Sequence, residues 1–181
     1  MGRFFFTLRG EIDEEWTFAD GSYIKAHQHA SGARHGEERA IGKSRGGLTT
    51  KVHVVVDAHG NPIDFEITGG ETHDVKVAPK LLEKLNFSSG YFIADKGYDS
   101  DELRDSVREL GKIPVIPRRS NSQKENSDFD SHLYKIRHLV ENIFARIKHY
   151  RGVATRFDKL ARNFKSVIFI VFSLIWIKLG K

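Results

Sequence analysis

The chain of 181 residues contains no cysteine. It can therefore form neither disulfide bonds nor a thiolate metal site, and this composition fits a reducing compartment. The longest apolar run has eleven residues, Val167 to Ile177 with one interruption at Ser173, whereas a membrane-spanning helix needs about 20. The N-terminal residues carry no long apolar segment followed by a cleavage site, so no signal peptide is predicted. These absences favour a buried C-terminal helix over a membrane anchor.

Charge is distributed unevenly along the chain. The apolar content of 39% is enough for one compact domain with its own core. The formal net charge is +5, but residues 134–165 alone carry nine Lys and Arg side chains against Glu141 and Asp158. A dense basic region indicates a polyanionic partner, of which nucleic acid is the first candidate, although a solvated surface is the ordinary alternative.

Apolar periodicity predicts an alternation of strands and helices. Five strands are expected at residues 16–27, 48–56, 63–68, 91–94 and 112–117, the last limited to a sheet edge by its prolines. Helices are expected at residues 74–85, 100–110 and 131–151 and at the apolar C-terminus, with Asp74 and Ser100 as N-caps. The glycine-rich stretch 29–47 is expected to be a mobile loop. This order predicts a mixed α/β sheet with helices on its faces.

The helix predicted at residues 131–151 carries a polar stripe beside its apolar face. Tyr134, Arg137, Glu141 and Lys148 lie together at helical spacing. A carboxylate flanked by two cations and a phenol can bind a metal ion while its neighbours hold phosphates. The alternative is an ordinary surface ion pair between Arg137 and Glu141.

Two aspartates lie at positions from which they could meet Glu141. Asp20 is near the middle of the first predicted strand, and Asp95 is at the C-terminal end of the fourth, just before a glycine turn. Ligands of α/β sheets collect at such strand ends. Asp20, Asp95 and Glu141 could therefore converge on one metal site. A turn aspartate in ADGS and a capping aspartate in DKGYD are the respective alternatives.

Two other motifs lead to weaker interpretations. His27, His29 and His35 suggest zinc, but the sequence places no further ligand beside the His-x-His pair, which favours loop histidines near DNA. The GKS at residues 42–44 does not complete a phosphate-binding P-loop, because the preceding glycine is one position too far away and a strand follows. Lys43 and Arg45 are instead expected to contact a DNA backbone.

The 131–151 helix matches a Y-x2-R-x3-E-x6-K motif position for position. With WTFADGSYIKAHQHASGAR, GKSRGGLTTKVHVVVDAHGNPIDFEITGG and ADKGYDS, the chain resembles DDE transposases of the bacterial IS5 insertion-sequence family over nearly its whole length. The resemblance implies an RNase H-like fold of the retroviral-integrase superfamily, with a mixed five-stranded sheet flanked by helices. It also implies that Asp20, Asp95 and Glu141 form the catalytic and metal-binding triad.

The same resemblance implies the cofactors and partners. Three carboxylates suit Mg²⁺, with Mn²⁺ able to substitute, and two such ions assist hydrolysis at the element's ends and attack of the 3′-hydroxyl on target DNA. The expected partners are end and target DNA and further copies of the chain in a homo-oligomer, without a membrane. The expected location is the cytoplasm, on the nucleoid. The residues expected to contact DNA are Tyr134, Arg137, Lys148, Lys43, Arg45, Lys96 and Arg151.

The resemblance also predicts how the chain is organised. Residues 1–15 are expected to be a linker or the remnant of a missing N-terminal end-binding region, and residues 16–181 the catalytic domain. Only 45 residues separate Asp95 from Glu141, which leaves little room for an all-β insertion domain, so a hairpin cleavage pathway is not predicted. An RNase H-like nuclease without strand transfer and an inactive DNA-binding remnant of a decayed element are the alternatives.

Overall fold

The computed structural model describes residues 1–32, 39–86, 89–127 and 129–179, in which one mixed sheet lies between two helical layers. The strands are β1 (Trp16–Ala26), β2 (Gly42–Ser44), β3 (Gly47–Val56), β4 (Pro62–Gly69), β5 (Gly90–Ala94), β6 (Lys112–Val115) and β7 (Thr155–Arg156). The helices are α1 (Gly2–Leu8), α2 (Asp74–Leu82), α3 (Asp101–Glu109), α4 (Ser131–Lys135), α5 (His138–Lys148), α6 (Arg151–Ala154) and α7 (Ala161–Leu179). Short 3₁₀ turns occupy Gln28–Ser31 and Lys96–Tyr98.

The five long strands follow the order β4–β3–β1–β5–β6 across the sheet. The pairs β3–β4 and β1–β3 are antiparallel, whereas β5 and β6 run parallel to β1. The predicted mixed five-stranded sheet is thereby confirmed, with β6 at its edge. Two short strands were not predicted: β2 pairs with β3 in a hairpin inside the stretch expected to be a loop, and β7 pairs with the far end of β1. Residues 33–38 of that stretch lie outside the described residues.

Alternate residues of the strands pack on opposite faces of the sheet, as a period of two requires. On one face Phe18 and Ile24 of β1 join a core cluster with α5 and α7. On the other face Ala19 joins a cluster with α2 and α3. The expected C-terminal helix is present as α7, and its inner side contributes Phe164, Ile168 and Phe172 to the core. No helix in the described ranges is long and apolar enough to cross a bilayer.

Residues 131–151 were predicted to form one continuous helix. The structure has three helices there, α4, α5 and α6, so the prediction of a single helix was wrong. The chain tightens between α4 and α5, where Arg137 donates its backbone N–H to Tyr134 and Leu139 donates to Ile136, three residues back. Tyr150 then adopts an extended conformation and separates α5 from α6. Neither break contains a proline, so residue propensity gave no signal for them.

The first fifteen residues contribute a helix that packs on α7. Phe5 of α1 is fully buried, and its ring lies 5.6 Å from that of Phe169 and 5.9 Å from that of Phe172. Arg9 then donates from Nη1 to the carbonyl of Ile63 at 3.0 Å. The division of the chain at residue 15 stays a prediction, and burial of Phe5 ties this segment to the core.

The two predicted helix caps have different outcomes. Ser100 caps α3 by accepting the amide of Leu103, as expected. Asp74 was expected to cap α2, but the N-cap position is occupied by His73, and Asp74 is the first helical residue. The capping prediction was wrong because the Asp74 carboxylate is engaged by Lys51 and His53 of β3. Helix α2 also ends at Leu82, three residues before the predicted end.

Candidate active site

The sheet register brings Asp20 and Asp95 together. Ala19 of β1 pairs with Ala94 of the parallel strand β5, so the two aspartates that follow are neighbours at the point where β5 ends. The backbone N–H of Gly21 donates to Asp20 Oδ1 at 2.7 Å, and that of Gly97 donates to Asp95 Oδ1 at 2.7 Å. Asp95 thus makes the capping contact that the alternative interpretation predicted, whereas Asp20 lies inside strand β1 and not in the turn expected at ADGS.

Arg137, at the N-cap of α5, links the sheet to Glu141. Its Nη1 donates to Asp20 Oδ2 at 2.9 Å, and its Nη2 donates to Glu141 Oε1 at 2.5 Å. The guanidinium also lies over the ring of Tyr134, 5.7 Å from its centre. The side chain of Glu141 is 53% exposed, whereas that of Asp20 is 18% exposed. The motif residues thus meet Asp20 at the sheet, which a surface ion pair alone would not do.

The electrostatic balance at this position favours a cation. Burial raises the pKa of the Asp20 carboxyl, and the nearby Asp95 raises it further, although the Gly21 amide and Arg137 act in the opposite direction. Tyr98 is fully buried, and burial together with the negative charges of Asp74, Asp20 and Asp95 raises its pKa well above the ordinary value. An anionic cluster of this kind is stabilised by additional positive charge.

The donor atoms of the carboxylates suit a divalent ion, but the distances between the carboxylates in the structure are too long for them to share one. Oxygen donors are the ligands that Mg²⁺ and Mn²⁺ prefer. Among the residues that the structure describes, no three His, Asp or Glu side chains lie close enough to hold one ion. Arg137 contacts two of the three carboxylates, Asp20 and Glu141, and so occupies the oxygens that a cation would take. The donor atoms suit a divalent ion by their chemistry.

The predicted DNA contacts fall into two places. Lys148 donates from Nζ to Ser22 Oγ at 2.7 Å, on the same side of β1 as Asp20. Lys96, beside Asp95, and Arg151, at the start of α6, are exposed. The remaining predicted contacts, Lys43 and Arg45, lie on the β2–β3 hairpin and border a separate groove. The structure places Tyr134, Arg137 and Lys148 on the side of β1 where Asp20 and Glu141 lie, and it places the hairpin pair elsewhere.

Not every cation of the basic region 134–165 faces solvent. Arg156 is fully buried, where it donates to the carbonyls of Ala40, Arg39 and Asp158. Burial lowers the pKa of Arg156 to about 10. Lys165 donates to Glu66 at 3.2 Å. The basic surface offered to a polyanion is therefore smaller than the charge count of the sequence suggested.

The histidines that suggested zinc make other contacts. The rings of His27 and His29 pack edge to face with centroids 4.7 Å apart, and His27 also lies 4.5 Å from the ring of Phe157. His27 accepts the backbone N–H of His29. His35 lies outside the described residues. The pair thus serves to pack the 3₁₀ turn against the segment after β7.

Sequence reasoning missed a buried polar chain on the other face of β1. Asp74 Oδ2 lies 2.6 Å from Lys51 Nζ, and Asp74 Oδ1 lies 3.0 Å from His53 Nδ1. His53 Nε2 continues the chain to Thr68 Oγ1 at 2.9 Å. Gly21 makes room for it, because a Cβ there would lie 2.5 Å from Asp74 Oδ1. Lys51 and His53, two residues apart in an apolar strand, were the signal that could have revealed it.

Comparison with known proteins identifies the family of the chain. Residues 13–176 match the family described as Transposase DDE domain. The chain is 36% identical over 135 residues to a putative transposase for insertion sequence element IS6501 of Brucella ovis, covering 72% of this chain and 100% of that protein. It is 31% identical over 122 residues to a putative transposase for insertion sequence element IS402 of Burkholderia cepacia, covering 62% and 55%. The chain thus spans all of the first relative and about half of the second.

Solved structures share the fold at low sequence identity. The piggyBac transposase in a synaptic complex with hairpin DNA superposes with a TM-score of 0.55 at 10% identity, covering 90% of this chain and 46% of that chain. The simian T-cell lymphotropic virus intasome, in complex with PP2A regulatory subunit B56 gamma, gives 0.52 at 16% identity, covering 89% and 49%. The RNase H-like fold is thereby confirmed. The chain belongs to the transposase DDE domain family, and it is a metal-dependent DNA transposase of the insertion-sequence kind.

Proposed function

We propose that this chain cuts DNA at the ends of its insertion sequence and joins the freed 3′-hydroxyl to target DNA, with Asp20, Asp95 and Glu141 as the catalytic, metal-holding carboxylates. The observation that carries this assignment is the Arg137 fork, which joins Asp20 of β1 to Glu141 of α5 beside Asp95. Arg137 contacts two of these carboxylates, and Asp95 adds a third negative charge near Asp20. A purely structural ion-pair network would be closer to neutral.

Divalent ions held by these carboxylates, Mg²⁺ or in its place Mn²⁺, supply stabilisation for the attacking and leaving oxygens of phosphoryl transfer. The chain's own residues orient the reactants. The glycine amides at residues 21 and 97 fix the carboxylates of Asp20 and Asp95. Arg137 has the planar fork that binds a phosphate through two hydrogen bonds, and it is placed to exchange a carboxylate for the scissile phosphate.

The substrate of the proposed reaction is double-stranded DNA that carries the element's ends. The piggyBac neighbour is a synaptic complex with hairpin DNA, which supports a DNA substrate here. Lys96, Lys148 and Arg151 add exposed positive charge near the carboxylates. Because two ends must be cut and joined together, the active form is a homo-oligomer assembled on DNA, working in the cytoplasm on the nucleoid.

Three isosteric substitutions test the catalytic assignment. Asp20→Asn, Asp95→Asn and Glu141→Gln should each lower Mg²⁺-dependent nicking of end-containing DNA by about 10³-fold, since charge stabilisation of the transition state is lost while shape is kept. The same variants should weaken Mn²⁺ binding measured by calorimetry. Their affinity for DNA should change little, because the phosphate-binding cations remain.

Glu109→Gln on α3 is the matched control, because Glu109 is exposed and far along the chain from all three carboxylates. It should nick DNA like the wild-type chain. Near-normal nicking by any one triad variant would remove that residue from the site. Nicked but never joined products would identify a nuclease without strand transfer, and a wild-type chain that binds DNA without nicking it would identify an inactive remnant.

A further inference from the structure

A groove of about 670 Å³ lies on the α2 side of the sheet, between the β2–β3 hairpin and the turn that precedes α2. It does not include the three carboxylates proposed to be catalytic. The side chains that the following argument uses are Tyr23, Lys43, Arg45, Thr49 and Lys51.

An aromatic ring is presented at the wall of this groove. Tyr23 of β1 is 49% exposed, although it lies in a strand whose neighbours Ile24 and Ala26 are buried. The ammonium of Lys51 lies 4.9 Å from the centre of the ring, and Asp74 holds that ammonium at 2.6 Å. One part of the ring is thus fixed by a cation while half of the side chain stays open. Proteins that bind single-stranded nucleic acid stack unpaired bases on exposed aromatic rings of this kind, next to basic side chains.

The groove also offers groups that suit a phosphate. Lys43 and Arg45 are exposed, and within the described ranges neither has an ion-pair partner. The hydroxyl of Thr49 is buried and has no hydrogen-bond partner among the described residues. Two acidic residues, Glu71 and Asp74, also line the groove. The charge of Asp74 is offset by its contact with Lys51. The positive charges of Lys43 and Arg45 therefore exceed the one remaining negative charge, that of Glu71.

The groove and the proposed catalytic carboxylates lie on opposite faces of β1, with an unpaired stretch of strand edge between them. On the β5 side, β1 pairs with β5 as far as Ala19 and with β7 only from Lys25, and no other strand of the described chain pairs with the edge between them. Tyr23 is three residues beyond Asp20 in the strand, a distance of about 10 Å. A nucleic-acid strand that reaches both sites therefore has to pass over this edge, from the α5 face of the sheet to the α2 face.

We propose that this groove binds an unpaired segment of the DNA substrate, with one base stacked on Tyr23 and adjacent phosphates held by Lys43 and Arg45. The inference rests on the proposed function, since the scissile phosphate is placed at Asp20, Asp95 and Glu141. The segment has to be unpaired, because a base inside a duplex has no free face for the ring. The groove thereby selects DNA whose strands are separated next to the cleavage position.

Binding to two DNAs of the same sequence tests the groove, one a blunt duplex and the other a duplex with a short single-stranded overhang. Affinities would be measured by fluorescence anisotropy without divalent ions and at several salt concentrations. The wild-type chain should prefer the overhang by about tenfold, and Tyr23→Leu should abolish this preference, because stacking of one base is lost. The double variant Lys43→Gln, Arg45→Gln should flatten the log-affinity against log-salt slope for the overhang by about 1.4, as two lost single-strand phosphate contacts predict.

Two matched controls separate the groove from general effects. Phe4→Leu removes another exposed ring, and Lys80→Gln removes another exposed cation, and both should bind like the wild-type chain. A photoreactive 5-iodouracil placed at each overhang position in turn should crosslink to Tyr23 more strongly at one position than at the others, as a base held in one place predicts. No preference for the overhang in the wild-type chain, or a preference that survives Tyr23→Leu, would overturn the inference.

The remaining outcomes distinguish the groove from the catalytic site. If the double variant weakens binding of blunt and overhang DNA equally, the groove holds duplex phosphates and the inference is wrong. A wild-type chain that nicks DNA while both groove variants bind the overhang normally would overturn the groove assignment alone. Overhang binding that depends on Tyr23 in a chain that never nicks DNA would overturn the proposed function and support the groove.

Discussion

Two charged clusters lie on opposite faces of β1, one residue apart. On the α5 face Asp20 is bridged through Arg137 to Glu141, with Asp95 beside it. On the α2 face, next to Gly21, Asp74 lies between Lys51 and His53. Both clusters join residues that are distant in the sequence, and both are partly shielded from water. They differ in whether their charges balance.

The pKa values of the two aspartates shift in opposite directions. Burial would raise the pKa of Asp74, but the contacts with His53 and Lys51 outweigh it and lower the pKa below the ordinary value. At Asp20 burial dominates and the pKa is raised, in spite of Arg137. Contact with Lys51 thus favours the charged form of Asp74, although Asp74 Oδ1, 3.0 Å from His53 Nδ1, makes no hydrogen bond among the described residues. Burial disfavours the charged form of Asp20, and a carboxylate of this kind is one that the proposed cation would stabilise.

The two clusters also pack against each other at Gly21 and Gly97. A Cβ on Gly97 would lie 2.8 Å from Asp95 Oδ1 and 3.2 Å from Asp74 Oδ2, and a Cβ on Gly21 would meet Asp74 Oδ1 at 2.5 Å. Asp74 therefore packs against Gly21 of β1 and Gly97 of the turn after β5, whose amides hydrogen-bond Asp20 and Asp95. The Asp74 cluster thus supports the backbone next to both of these carboxylates.

Replacing Asp74 should have the largest effect on stability. Asp74→Ala should lower the free energy of unfolding by about 3 kcal/mol, because it leaves Lys51 and His53 buried without their counter-charge. Urea unfolding measures this change, and Glu71→Ala, at an exposed neighbouring position, is the control that should change little. Equal stability of the Asp74 variant and the wild type would show that the cluster is not a support.

The pH dependence of the Asp74 effect has a definite sign. The pKa of Asp74 is lowered in the folded chain from 3.8, so its stabilisation is complete above the unfolded value and is lost as the pH falls through the folded value. The stability gap between the wild type and Asp74→Asn should therefore persist from neutral pH to about pH 4 and close below it. Urea midpoints of both proteins over this range would show a constant gap if the assignment were wrong.

Arg137 should matter for turnover more than for stability. Arg137→Ala should reduce nicking by about 10²-fold and flatten the salt slope of DNA binding by about 1, since one phosphate contact and the fork are lost. Arg137→Lys should restore the slope and only part of the nicking, because an ammonium cannot bridge two groups in the same plane. If Arg137 merely forms a surface pair with Glu141, the alanine variant should change stability by about 0.3–0.5 kcal/mol and leave the slope alone.

Asp20→Asn should separate stability from activity. The raised pKa of Asp20 means that the folded chain disfavours its charged form. The charged carboxylate therefore lowers the free energy of unfolding. This loss is complete above the folded-state pKa and disappears below the unfolded-state pKa. At neutral pH the neutral amide should leave the free energy of unfolding unchanged or raise it by up to about 1 kcal/mol, while nicking is lost. A clear destabilisation in urea unfolding would mean that Asp20 is held as a structural ion pair.

Replacing Lys148 should have the smallest effect, a modest loss of DNA affinity. Lys148→Ala removes the contact with Ser22 and one exposed cation near Asp20, and it should weaken binding across sequences and flatten the salt slope by about 1. Affinities measured at several salt concentrations decide this. The variant Lys80→Gln, on the exposed side of α2, should leave the slope unchanged, and an unchanged slope in Lys148→Ala would place Lys148 outside the DNA contact.

Several features could be predicted from the sequence because they are set by residues close in the chain. The alternation that gives β1, the end of β5 at Asp95 and the Ser100 cap of α3 each depend on a few neighbouring side chains. The spacing of Tyr134, Arg137 and Glu141 predicted a shared stripe. The stripe survives the break between α4 and α5, because Arg137 still reaches Glu141 one turn further on.

Other features were beyond the sequence because they depend on partners far along the chain. The ion pair of Asp74 with Lys51 replaced a cap that local rules favour. The burial of Arg156 depends on carbonyls of residues 39 and 40, so a charge count placed it on the basic surface. The short strands β2 and β7 form because β3 and β1 offer them unpaired edges.

By itself the sequence determined the family, the order of the five long strands and the identity of the three candidate carboxylates, since periodicity and fixed motif spacing are local properties. Only the tertiary structure decided that Arg137 stands between Asp20 and Glu141, that Asp74 balances Lys51 and His53, and that Tyr23 faces a basic groove. The reason is that charge balance and burial belong to the set of groups that folding brings within a few ångströms. No single segment of the chain contains that set.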